Sequence, residues 1–114
     1  MQSLNIPFQT INWAETAQTN HQGISGSALW QTATFEGLRI RKVSYSPGYL
    51  ADHWCSKGHI VHCLSGQLDS ELKDGTIYVL KEGMTYIASD NTSLHRSSTE
   101  HGVSLLIIDG DFLK

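Results

Sequence analysis

At 114 residues and 12.6 kDa the chain is the size of one domain, long enough to bury a core without disulfides or metals as obligatory staples. Eight Lys and Arg against eleven Asp and Glu give a net charge of −3, which argues against the basic face of a nucleic-acid binder, and 39% hydrophobic residues argue against disorder. The first basic residue is Arg39, Met1 to Asn20 has no apolar stretch, and the longest aliphatic run is Leu105-Leu106-Ile107-Ile108, so no signal peptide or membrane span is expected and the expected location is cytoplasmic.

Residues 1–27 read as an N-terminal arm and loop. Their one stretch with helix-or-loop character, 14–27, contains Gly23 and Gly26 and is assigned to loop. Beyond it, turn signals recur. Glu36-Gly37 separates Ala33-Thr34-Phe35 from Leu38-Arg39-Ile40, Ser65-Gly66 separates Cys63-Leu64 from Gln67-Leu68, and Asp74-Gly75 precedes Thr76-Ile77-Tyr78-Val79-Leu80. Asp-Gly between runs of period two marks a hairpin, because its turn needs positive φ at both central residues. Leu68, Ser70 and Leu72 alternate with Asp69, Glu71 and Lys73, an in-out pattern suited to a half-buried strand. Strands are predicted at 28–35, 38–46, 50–55, 59–64, 67–73, 76–81, 84–88, 93–98 and 103–109. Many short strands at regular spacing, with no sustained 3.6-residue period, predict an all-β antiparallel barrel or jelly roll over 28–109.

Within the strand predicted over 38–46, alternation puts Arg39, Arg41, Val43 and Tyr45 on one face. If that face is the interior, each arginine needs an anionic partner, because an unpaired buried charge is costly. The partner is either an internal Asp or Glu or the carboxylate of a substrate. If the face is the exterior, the arginines are simply solvated. Arg41, Arg39 and Tyr45 are the candidate substrate-binding residues, for a small and anionic ligand.

Four of the six histidines and both cysteines lie between Asp52 and His95. His53 and Cys55 are two apart, which on a strand puts them on one face roughly 6.5–7 Å apart. Imidazole and thiolate bind metals at about 2.0–2.3 Å, so both can reach one ion. Ser56-Lys57-Gly58 reads as a turn that brings His59 to the start of the neighbouring strand, and His95 is the candidate fourth ligand. His62 has the opposite parity to His59 and is expected to be exposed or at a subunit contact. Cys63 reads as a core thiol, and His21 and His101 take no role. The Cys-x-x-Cys spacing of a zinc finger, the Gly-x-Ser-x-Gly nucleophile elbow and a glycine-rich phosphate loop are all absent.

This order of residues resembles the cupin superfamily. Gly48, His53, Cys55, His59 and Gly66 stand in the places of its first motif, and Gly83 and His95 in those of its second, a resemblance that spans about residues 38–109. Ala51-Asp52-His53-Trp54-Cys55 is similar to a small cupin subfamily labelled by its Asp-His-Cys-Trp motif. Cys55 stands where the family's second histidine is usual and His59 where a glutamate is usual, so the ligand charge is unchanged while the site becomes softer. The resemblance implies a single cupin domain over 1–114, with one divalent transition metal (Zn, Fe or Ni) held by His53, Cys55, His59 and His95. It implies a small-molecule enzyme of the dioxygenase, isomerase or decarboxylase type, the alternative being a non-enzymatic zinc- or redox-sensing domain. No catalytic residue is assigned. A homodimer is expected from apolar surface at Phe8, Trp13 and Trp30, with neither nucleic acid nor membrane as a partner.

Overall fold

The computed structural model describes residues 5–114. It is an antiparallel β structure of eight strands: β1 (Thr19–Gln22), β2 (Ser27–Phe35), β3 (Leu38–Tyr45), β4 (His59–Leu72), β5 (Ile77–Lys81), β6 (Thr85–Ala88), β7 (His95–Ser98) and β8 (Val103–Gly110). Among the described residues the helical pieces are two short 3-10 turns, Trp13–Glu15 and Asp111–Leu113. The strands run in the order β1-β2-β3-β8-β4-β5, with β6 and β7 also paired to β4.

β4 joins two sheets. Its first part pairs with β8 and β6, and its second part with β5 and β7. Two predicted strands, 59–64 and 67–73, are therefore one strand, and the expected turn at Ser65-Gly66 is a bulge that shifts the β8 register between Cys63 and Ser65. Gly66 has a φ of 83°, and a Cβ there would press into the Gly102 carbonyl, so the chain bends where a larger residue would not fit. The bend lets one strand carry Val61 and Cys63 and then Leu68 into the same core.

Two more expectations need correction. Thr19–Gln22, placed in the N-terminal loop from the sequence, is an edge strand paired to β2. Residues 50–55, expected to be a strand, touch the sheet only through isolated bridges at Leu50 and Cys55 and turn between them.

The core is Val43, Val61, Cys63, Leu68, Leu80, Val103, Leu105 and Ile107, with Trp30, Tyr45 and Tyr86 packed against it. Its pattern follows from register. Val43 faces Leu105, Cys63 faces Leu105 from the other side, and Val61 faces Ile107. The same row continues toward one end of the barrel, where Arg39 pairs with Asp109 and His59 follows in step after the Ile60–Ile108 pair. Inward positions are thus apolar through the middle and polar at this end, and the candidate site lies there.

Candidate metal centre

Cys55 and His95 are fixed by reciprocal backbone hydrogen bonds, Cys55 N–H to the His95 carbonyl at 2.8 Å and His95 N–H to the Cys55 carbonyl at 3.1 Å. His95 opens β7 and His59 opens β4, so both imidazoles sit at strand starts on rigid sheet. Their rings meet edge to face with centroids 5.7 Å apart. Cys55 Sγ lies 3.6 Å from His59 Nε2. One donor atom from each of Cys55, His59 and His95 falls within 4.8 Å of the others, and both histidines are buried.

The three donors fit a metal ion. Ligands held tetrahedrally at 2.0–2.3 Å lie about 3.5 Å from one another, close to the 3.6 Å between Sγ and Nε2. The free nitrogens are also the right ones. His95 Nδ1 lies 3.2 Å from the Ser93 carbonyl, an acceptor only, so this nitrogen carries a proton and Nε2 is the one left to face the site. His59 Nδ1 lies 3.2 Å from Asp109 Oδ2. The thiol is primed as well. Hydrogen bonds from His59 and then His95 bring the Cys55 pKa down to about 5, and the bond to Cys55 raises that of His95.

His53 stands apart from this group. Its Nδ1 is bonded to Asp52 at 2.7 Å and its side chain is 72% exposed at the cavity rim. The expectation that His53 and Cys55 share a face assumed a strand, and the turn at Asp52-His53 removes that alternation. The structure thus brings together three of the four sequence candidates.

Arg39 and Arg41 do share the inward face with Val43 and Tyr45, and the carboxylate they meet is internal. Arg39 grips Asp109 with two bonds, Nε to Oδ1 at 3.1 Å and Nη2 to Oδ2 at 2.9 Å, and Arg41 Nη2 donates to Oδ2 at 3.2 Å. Arg41 is buried with its guanidinium 4.5 Å over the Trp30 ring, and its Nε has no partner. Burial pushes the Arg41 pKa down. Burial alone would raise that of Asp109, but the Arg39 hydrogen bond and the charges of Arg39, Arg41 and His59 hold it below the usual carboxylate value. Asp109 was not singled out from the sequence. The signal was present, since it continues the inward series Val103, Leu105, Ile107.

The three donors, with Arg39, Arg41 and Trp30, line a cavity of about 180 Å³. Tyr45 and Tyr86 complete its wall, Tyr45 stacked on Tyr49 with centroids 4.2 Å apart and its hydroxyl pKa raised by burial to about 12. Both tyrosines therefore stay neutral donors at ordinary pH, the Tyr86 hydroxyl being pushed up by burial too. The remaining candidates fall outside the cavity. His62, half-buried on the outer face, bonds the Thr85 hydroxyl at 2.8 Å, Cys63 is buried in the core, His21 stacks on Trp30 and His101 is exposed beside Glu100.

No family model matches the sequence, and no curated protein matches it. Solved structures do match the fold. The chain superposes on an RmlC-like cupin from Shewanella frigidimarina with a TM-score of 0.71 at 17% identity, covering 96% of this chain and 94% of that one. A predicted oxalate decarboxylase from Thermotoga maritima gives 0.74 at 11% identity, over 90% of this chain and 99% of that one. Ectoine synthase from P. lautus gives 0.73 at 14% identity, over 90% and 78% respectively. At these identities the likeness concerns the fold alone.

Proposed function

From the premise that this chain is a cupin by fold, we propose that it is a metal-binding small-molecule enzyme whose ion is held by Cys55, His59 and His95. The observation that carries this reading is three convergent donors within 4.8 Å on the wall of one cavity. A thiolate with two neutral imidazoles favours zinc, iron or nickel over magnesium and calcium. Three protein donors leave a coordination position for a ligand, the pattern of catalytic rather than structural sites. A divalent ion there supplies Lewis-acid polarisation of a bound oxygen.

The rest of the cavity supports a small anionic ligand. Two guanidinium groups share one carboxylate, which leaves a net positive charge, and the unpartnered Arg41 Nε is a buried donor. A carboxylate seated there meets a charge-assisted donor, with the Tyr45 and Tyr86 hydroxyls in the same cavity. Solved structures of similar fold named as a predicted oxalate decarboxylase, an ectoine synthase and a polyketide cyclase lend this fold a precedent for small-molecule chemistry.

A second reading, redox sensing through Cys55, is favoured by the lowered thiol pKa, since thiolate is the oxidisable form. Elemental analysis of untagged protein prepared without added metal separates the two. One transition-metal equivalent per chain, lost in Cys55→Ser, supports the metal enzyme. Metal-free protein that binds none on titration and forms a reversible Cys55 oxide overturns it. For the ligand, a panel of small carboxylates should raise the melting temperature of the metal-loaded protein, and Arg41→Met should abolish the rise. The proposal extends to a homodimer, supported by Phe8, which is 99% exposed. Of the other two aromatics considered, Trp13 is half-buried and Trp30 is occupied between His21 and Arg41.

A further inference from the structure

Asp109 is not among the three converging donors, yet it is the node of the polar end of the barrel. Its Oδ2 lies 3.2 Å from His59 Nδ1, 2.9 Å from Arg39 Nη2 and 3.2 Å from Arg41 Nη2, while its Oδ1 takes Arg39 Nε at 3.1 Å. We infer that Asp109 is the positioning residue of the metal centre, holding the His59 ring with Nδ1–H on its carboxylate and with Nε2, the nitrogen that would take the metal, turned toward Cys55. This rests on the reading that Cys55, His59 and His95 hold a metal.

The reasoning is one of donors and acceptors. Each arginine can only donate, so Asp109 meets them as a carboxylate, and a carboxylate only accepts. His59 Nδ1 must then be the donor in its contact with Asp109, and Nε2 is the nitrogen left free. A ring flip would put carbon in place of both nitrogens, and a ring bare at Nδ1 would set a lone pair against a carboxylate. Register makes the arrangement stiff: Arg39 pairs with Asp109 across β3 and β8, and His59 lies one residue beyond the last β4–β8 pair, Ile60–Ile108, so the carboxylate is positioned by sheet and not by a loop. Arg39 has a further part in this. Its two-bond grip fixes the carboxylate plane, and the plane fixes the direction from which the His59 N–H is accepted.

The second imidazole provides an internal comparison. His95 is oriented by a neutral backbone carbonyl, Ser93, while the hydrogen bonds of Asp109 go to Arg39, Arg41 and His59. Loss of the Asp109 charge should therefore weaken one of two otherwise similar ligands. An anionic acceptor behind an imidazole makes it a better metal donor, and loss of such a partner typically costs 10- to 100-fold in affinity.

The test uses the full chain with its histidines labelled with 15N, metal-free and then titrated with zinc. In metal-free wild type, His59 Nδ1 should carry a slowly exchanging proton, and a bare Nδ1 overturns the inference without any mutation being made. Asp109→Asn keeps an acceptor toward His59 but loses the negative charge and one of the two acceptors of Arg39. It should move the His59 Nδ1–H resonance upfield, leave the His95 ring nitrogens where they are, and weaken zinc binding 10- to 100-fold. A purely structural role would shift both rings together, and that result, or zinc affinity within twofold of wild type, also overturns it. Wild-type protein that binds no zinc while still showing the His59 Nδ1 proton would instead overturn the metal reading itself.

Discussion

The ionisation of Cys55 is the property of the site most open to direct measurement. With a pKa of about 5, roughly nine-tenths of the thiol is ionised at pH 6, against about three parts in a thousand for an ordinary cysteine of pKa 8.5. The thiolate population therefore rises about 300-fold. Reactivity does not rise as far, because a thiolate of lower pKa is a weaker nucleophile. With a Brønsted slope of 0.4–0.5, a drop of about 3.5 units costs roughly 40-fold per thiolate. The net gain in alkylation rate at pH 6 is then only about eightfold, and at pH 8 Cys55 should react more slowly than a free thiol. The shape of the profile is the safer readout. Metal-free protein treated with iodoacetamide should lose Cys55 at a rate that reaches half its plateau near pH 5, with thiolate absorbance near 240 nm following the same curve. Cys55→Ser supplies the blank, since Cys63 is buried, has its pKa raised by that burial, and should stay slow until the barrel unfolds. Metal should abolish the reaction. A midpoint at pH 8 or above would refute the geometry, because two imidazoles bonded to the thiol cannot leave it at its ordinary value. The same shift sets a stability window in metal-free protein. The unfolded thiol holds a proton that the folded one has lost, so the contribution of Cys55 is complete above about pH 8.5 and disappears as pH falls through about 5. His95, whose pKa is raised, contributes in the opposite sense, fully below its ordinary value and lost as pH rises through the raised one.

Cys55→Ser should weaken zinc binding at least 100-fold by calorimetry, while His53→Ala, which removes an exposed ring bonded only to Asp52, should leave it within twofold; a large effect of His53→Ala would put that residue back among the ligands. Gly66→Ala should lower stability by about 2–3 kcal/mol in urea unfolding, through its positive φ and the Gly102 carbonyl in the way, and an unchanged midpoint would show that the bulge relaxes freely. Light scattering at micromolar concentration should give twice the 12.6 kDa chain mass, and a monomer mass rejects the dimer.

The sequence by itself determined the shared face of β3 and the turns at Glu36-Gly37 and Asp74-Gly75, because each depends on alternation or on a glycine, both local properties. The candidates Cys55, His59 and His95 were legible from the clustering of His and Cys and from their likeness to the order of the cupin motifs. Local reading failed where a residue's conformation is decided by what it touches. Alternation carried through 50–55 put His53 beside Cys55, but the chain there is held by bridges to Ser25, Ser98 and His95 and turns between them. Ser65-Gly66 has the composition of a hairpin turn, and only the approach of Gly102 shows that the chain bends there and continues as one strand. The two arginines faced inward as expected, while the choice between an internal carboxylate and a substrate stayed open. The structure supplies an internal partner, Asp109, 68 and 70 residues further along the chain, and leaves Arg41 Nε without one. Pairings at that separation are fixed by sheet register across β3, β8 and β4, and register is a property of the assembled barrel.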